Sequence, residues 1–337
     1  MDGILEENIS VYPGKFIKNE EKNKNHNITD SSNTINYNKP THIYISEKYA
    51  IKKVIVFDLD ETIGSFSDFY ILWSTIDNYI KEEDRNKSIS DFIEFNDLLN
   101  LYPEFFRHGI LHILDFIYHK KIAKLCSKIY LYTNNNILLR NKENKQNSSP
   151  TKWVSYIVDF LTKKICRQSD IPLFDKLICA FKINKKQIEL KRTTNYKTHS
   201  DFIKCTVLPK RTEICFIDDT FYPGMATDKV YYIQPKAYVH YLQPDEIINR
   251  FLSSQFFMKL PQEFHSDIEA ELYDCFGYSN KSIITKQQID NDIFISRKLM
   301  YYIREFFFLT SKKQKTRKVK ISPNSFTRKS YNNSIES

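Results

Sequence analysis

The sequence predicts an α/β fold on a doubly wound parallel sheet, and two observations carry that expectation. Five short runs of β-branched and aromatic residues recur along the chain, and stretches with helical spacing of apolar residues lie between them. The runs are Val54–Phe57, Lys128–Tyr132, Lys176–Phe181, Glu213–Ile217 and Lys229–Ile233. Each is short and apolar on successive residues, as parallel strands buried on both faces are. Strands alternating with helices join one sheet through right-handed crossovers.

The helices follow from their stripes. Phe105–Ile122 carries Ile110, Leu111, Leu114, Ile117 and Tyr118 on one face, and Trp153–Ile165 repeats the spacing through Val154, Ile157, Leu161 and Ile165. Asn141–Thr151 is a polar loop that leads into a helix start near Pro150 and Thr151. Residues 186–200 are basic and polar, which predicts a loop. A small helical insertion, expected to act as a cap, lies between Phe66 and about Pro103. Helical spacing returns past about residue 260, notably over Ile289–Phe308, and no internal repeat is present.

The expected organisation is therefore a disordered polar N-terminal tail over 1–45 and an α/β domain over 46–258. A helical C-terminal extension over 259–310 and a basic disordered tail over 311–337 follow, the latter containing the Lys312–Lys320 basic run.

At 337 residues and 40.2 kDa the chain can bury one substantial core. A net charge of +9 favours anionic partners: a phosphorylated protein, or nucleic acid through the basic tail. The six cysteines show no C-x-x-C pair and no zinc spacing, and are expected to be reduced. Six glycines supply neither G-x-G-x-x-G nor a P-loop, which removes both phosphate-cradling backbones. The first residues carry no basic-then-apolar signal, and no run is long enough to span a bilayer, so a cytoplasmic or nuclear protein with no membrane contact is expected.

Three strand ends carry the candidate chemistry. Asp58 and Asp60 follow the first run, Thr133 the second, and Asp218 with Asp219 the fourth. In an open parallel sheet the strand C-termini face one crevice, so these groups can converge from distant positions. Two like charges about 4 Å apart repel by roughly 4 kcal/mol at an effective dielectric of 20. A hard divalent cation removes that cost, and all-oxygen ligation suits Mg²⁺. A carboxylate beside the metal can attack phosphorus, a second one can serve as general acid and base, and a hydroxyl and a lysine can neutralise phosphoryl oxygens. An EF-hand reading of the first motif fails, because Ile63 and Phe69 stand where a calcium loop needs Gly and Glu.

These motifs resemble the haloacid dehalogenase (HAD) superfamily of aspartate-nucleophile phosphatases. The D-x-D-x-T signature stands as Asp58, Asp60 and Thr62, the second-motif hydroxyl as Thr133, and the acidic fourth motif as Asp218-Asp219. Asp58-Leu59-Asp60-Glu61-Thr62 is similar to the branch acting on the C-terminal repeats of RNA polymerase II and its NLI-interacting-factor-like relatives, and Arg107-His108-Gly109 resembles that branch's R-P-G element. The resemblance covers roughly 50–245. It implies strand order 5-4-1-2-3 and Mg²⁺ as cofactor, held by Asp58, the carbonyl of Asp60, Asp218 and Asp219. It further implies Asp58 as nucleophile, Asp60 as acid/base and Thr133 as a phosphate ligand.

The sequence departs from the branch at Ile63-Gly64-Ser65, at Asn134 and at His108, positions that bear on substrate rather than chemistry. Lys197 is the favoured third-motif lysine, with Lys191 and Lys204 as rivals. The activity implied is phosphomonoester hydrolysis, foremost on phosphoserine or phosphothreonine in proteins. Hydrolysis of a small metabolite or of a nucleic-acid phosphate end, and an inactive interaction module of the same fold, are the alternatives.

Overall fold

The computed structural model describes residues 8–16, 52–135, 152–166, 170–209, 211–277 and 284–319. It is an α/β protein with a mostly parallel six-stranded central sheet. The strands are β1 (Ile9–Tyr12), β2 (Lys53–Phe57), β3 (Lys128–Tyr132), β4 (Lys176–Ile178), β7 (Glu213–Ile217) and β8 (Val230–Pro235); β5 (Lys182–Ile183) and β6 (Lys186–Gln187) form a separate hairpin. Their order across the sheet is β1-β8-β7-β2-β3-β4, and all pairs are parallel except β1 with β8.

Strand β2 is central, and every one of its residues is buried. Its alternation feeds two cores. Ile55 and Phe57 enter the larger one, with apolar residues of α1 (Ser67–Glu83), α2 (Phe95–Leu99), α3 (Ile110–Ile122), α4 (Lys152–Cys166), α6 (Pro244–Leu252), α7 (His265–Gly277) and α8 (Lys286–Val319). Val54 and Val56 enter the smaller one, where Phe202 and Cys205 of α5 (His199–Thr206) cover the opposite face.

Several expectations change in detail. Residues 8–16, expected to lie in a disordered tail, supply β1 and a turn that places Phe16 against Tyr231 and Phe306. Four residues with alternating half-buried and exposed side chains are too short a pattern to stand out from polar surroundings. The Lys176–Phe181 run stops at Ile178, because the chain turns at once into the β5–β6 hairpin through Asn184 and Lys185, both at positive φ as a two-residue turn demands. The 186–200 stretch therefore holds β6 and the start of α5.

The helical stretch after Phe66 contributes to the large core. Trp153 of α4 meets Phe69 and Tyr70 of α1 and Phe95 of α2, with ring centroids 5.3–5.9 Å apart. Helix α8 runs to Val319, past the boundary expected at 310, whereas Asn141–Pro150, Lys320 and the residues beyond it lie outside the described residues. The six cysteines are free, five of them buried. No helix among the described residues is long and apolar enough to cross a membrane.

Candidate active site

Asp58 follows the last residue of β2, and Asp218 the last residue of β7. Phe57 and Ile217 are register partners in adjacent parallel strands, so the two aspartates leave the sheet side by side. Their backbones are fixed by ladder bonds: Asp58 N donates to Ile217 O at 2.9 Å and Asp218 N to Ile233 O at 3.2 Å. One oxygen from each of Asp58, Asp218 and Asp219 lies within 4.8 Å of the others. Asp58 and Asp218 are buried, and Asp219 is half-buried.

Lys197 Nζ sits among them, 2.6 Å from Asp58 Oδ1 and 2.6 Å from Asp218 Oδ2, on a side chain only 1% exposed. Its position is set by α5, which begins two residues later behind the cap Thr198, whose Oγ1 accepts from Asp201 N at 3.1 Å. Gly224 allows the 222–225 turn to close on this segment; a Cβ there would stand 2.9 Å from Thr198 Cγ2. Of the three lysines considered from sequence, Lys197 reaches the carboxylates. Lys191 is exposed, and Lys204 is half-exposed and pairs with Asp201 at 3.4 Å.

The loop after Asp58 is a tight turn. Ile63 N donates to Leu59 O at 2.8 Å, and Glu61 takes a left-handed φ of +54°. Gly64 is needed for close approach: a Cβ would lie 2.4 Å from the Phe105 carbonyl and 2.5 Å from Phe66 Cζ. The buried guanidinium of Arg107 donates to three carbonyls, Thr62 O at 2.7 Å, Glu61 O at 2.5 Å and Lys236 O at 2.8 Å. Thr62 then binds Asp219 twice, its Oγ1 donating to Oδ1 at 2.7 Å and accepting from the Asp219 amide at 2.9 Å.

Thr133 is wholly buried at the end of β3, and its Oγ1 accepts from Asn135 N at 2.9 Å. Asn135 Nδ2 donates to both oxygens of Asp60, at 3.2 and 3.0 Å, tying the end of β3 to the loop after β2. Arg192, 1% exposed, donates to Thr133 O, Cys179 O and Asn134 Oδ1, and Asn134 donates onward to Tyr222 Oη.

The electrostatics follow from crowding and burial. Burial, then the charge on Asp58, raises Asp60 to about 6 against the opposing Asn135 hydrogen bond. Burial, then Asp60, Asp219 and Asp58, raises Glu61 to about 7. Burial also raises Asp219, with the Thr62 bond opposing. For Lys197, burial is the largest single influence and acts downward, but Asp58 and Asp218 together overcome it and hold the ammonium protonated.

The donor set of Asp58, Asp218 and Asp219 is hard and anionic, and it could hold a metal ion. A buried carboxylate, a neighbouring carboxyl that titrates near neutrality and a fixed ammonium are also the parts needed for nucleophilic displacement with proton transfer.

Asn135, Arg192 and Tyr222 escaped the sequence reading, as did the bracing contacts of Arg107. The Asn134-Asn135-Asn136 run after β3 was a visible signal, but Arg192 sits in a basic stretch where nothing distinguishes it from its neighbours. Comparison of the chain with protein-family models, with characterised proteins and with solved structures finds no match.

Proposed function

We propose that this protein is a Mg²⁺-dependent phosphomonoester hydrolase of the HAD type, acting through an aspartyl phosphate on Asp58. The observation that carries the reading is the meeting of Asp58, Asp218 and Asp219 around Lys197 at the ends of two adjacent strands. The order β8-β7-β2-β3-β4, which equals 5-4-1-2-3 when the parallel strands are numbered along the chain, supports it.

In this mechanism a carboxylate oxygen of Asp58 attacks phosphorus and the ester oxygen leaves with the bond electrons. Asp60, protonated in part near pH 6, gives its proton to that leaving oxygen. Asp60 then takes a proton from water, which attacks the acyl phosphate and frees Asp58 and inorganic phosphate. Asn135 holds the Asp60 carboxyl in place. Lys197 keeps positive charge beside Asp58 while negative charge builds on the phosphoryl oxygens, and the Thr133 hydroxyl serves as a further ligand for them. Asp58, Asp218, Asp219 and the carbonyl of Asp60 would hold Mg²⁺, which when bound neutralises phosphoryl charge.

The substrate proposed is phosphoserine or phosphothreonine in a protein, a choice that rests on the resemblance of the Asp58–Thr62 motif and on the net charge of +9. Turnover of an aryl phosphate with Mg²⁺ tests the chemistry: Asp58→Asn should abolish it, and undiminished turnover refutes the assignment. Phosphopeptides compared with nucleotides and 3′-phosphorylated oligonucleotides then test the substrate.

A further inference from the structure

A cavity of about 320 Å³ lies where the start of α3 faces the 293–300 stretch of α8. Ile113, Ile293 and Met300 give it apolar walls, while His108, Ser296 and Arg297 bring polar groups to it. Its volume is at the lower end of the roughly 300–1,000 Å³ of small-molecule pockets.

Two of those polar groups are anomalous. Ser296 is only 6% exposed, yet its hydroxyl has no hydrogen-bond partner. His108 Nε2 is buried and equally without a partner, while its ring stacks on Tyr241 with centroids 6.3 Å apart. Buried hydroxyls and ring nitrogens are ordinarily satisfied, so two orphans on one cavity point to a missing acceptor. A water could serve one of them, but the apolar walls offer it few further partners.

Charge narrows the chemistry. Arg297 and His112 are exposed residues of the same lining. The nearby acid, Asp292, precedes Ser296 by one helical turn, and burial holds its carboxyl above the usual carboxylate range against the opposing charges of Arg107, His108 and Lys236, which disfavours a negative charge there. What remains is a donor-rich, cationic spot beside an apolar wall.

We propose that this cleft binds a small aliphatic carboxylate, its head accepting hydrogen bonds from Ser296 Oγ and His108 Nε2 near Arg297, its chain lying along Ile113, Ile293 and Met300. The site is separate from the phosphatase reading and stands whether or not the chain hydrolyses phosphate esters.

The test is calorimetric titration of the full chain with sodium octanoate, with octan-1-ol as the uncharged comparison. Octanoate should bind saturably with one-to-one stoichiometry, and octanol at least about tenfold more weakly, as loss of charge-assisted hydrogen bonds requires. Ser296→Ala should weaken octanoate severalfold while leaving the melting temperature of the free chain unchanged or higher, because its hydroxyl bonds to nothing there. Met300→Trp should fill the space and abolish binding, with the milder Ile293→Phe read the same way if the first variant does not fold. No saturable octanoate binding, equal binding of octanol, or affinity unmoved by all three variants would overturn the proposal. So would a clear loss of stability in unliganded Ser296→Ala, which would mean that the hydroxyl has a structural partner.

Discussion

The ammonium of Lys197 and the Oδ1 of Asp58 lie 2.6 Å apart at the end of the central strand, both shielded from solvent. The same ammonium holds Asp218, so one cation compensates two carboxylates that the sheet forces together. Lys197→Met should leave both without it. Breaking a buried charge cluster by removing one partner costs about 3–5 kcal/mol. Urea unfolding in chelator should show a loss of that size, and a variant within about 1 kcal/mol of the parent would contradict the pairing.

The acidic cluster also sets an unusual pH dependence. Asp60 and Glu61 have folded values of about 6 and about 7, above the unfolded values near 4. The native state therefore binds more protons than the unfolded chain between about pH 4 and 7, and stability falls as pH rises through that window. Unfolding midpoints in chelator should be higher at pH 5 than at pH 7.5, with Mg²⁺ reducing the difference. A midpoint that climbs steadily with pH in chelator would show that the carboxyls are not strained.

Arg107 touches none of the clustered carboxylates, yet its fork satisfies three carbonyls around the 59–64 turn. A lysine has no fork and would leave buried carbonyls unpaired, each costing about 1–3 kcal/mol. Arg107→Lys should lower stability by about that much and reduce turnover of an aryl phosphate more than tenfold by way of loop position. Parent-like stability and kcat would make the brace dispensable.

Gly64→Ala should be more damaging than its size implies. The added methyl meets backbone at Phe105 and the ring of Phe66, neither of which can swing away freely. Overpacking of this kind costs about 1–3 kcal/mol, and thermal melts should show it. A melting temperature unchanged from the parent would mean that the turn relaxes.

The parallel strands and the acidic strand ends were legible because each signal is local: apolar runs of four to six residues, two of which break into carboxylates. Asp58, Asp60, Asp218 and Asp219 could be found without knowing the fold's details, since strand C-termini share an edge. Position along the chain favoured Lys197 over Lys191 and Lys204 without deciding between them, because the answer depends on how the turn at Gly224 closes on Thr198. Arg192 and Asn135 were hidden for a related reason: their partners lie 59 and 75 residues away along the chain. Strand β1 was missed because four residues that alternate half-buried and exposed give too few periods to recognise.

That short first strand has a consequence for handling the protein. It covers the outer edge of β8, and Phe16 just after it rests on Phe306 of α8, so β1 and α8 seal the same border. A trimmed version beginning at Lys52 would present a bare row of amides and carbonyls, a template on which a second molecule can dock strand to strand. Preparations that begin at Lys52 should accordingly run as dimers or larger species in size-exclusion chromatography.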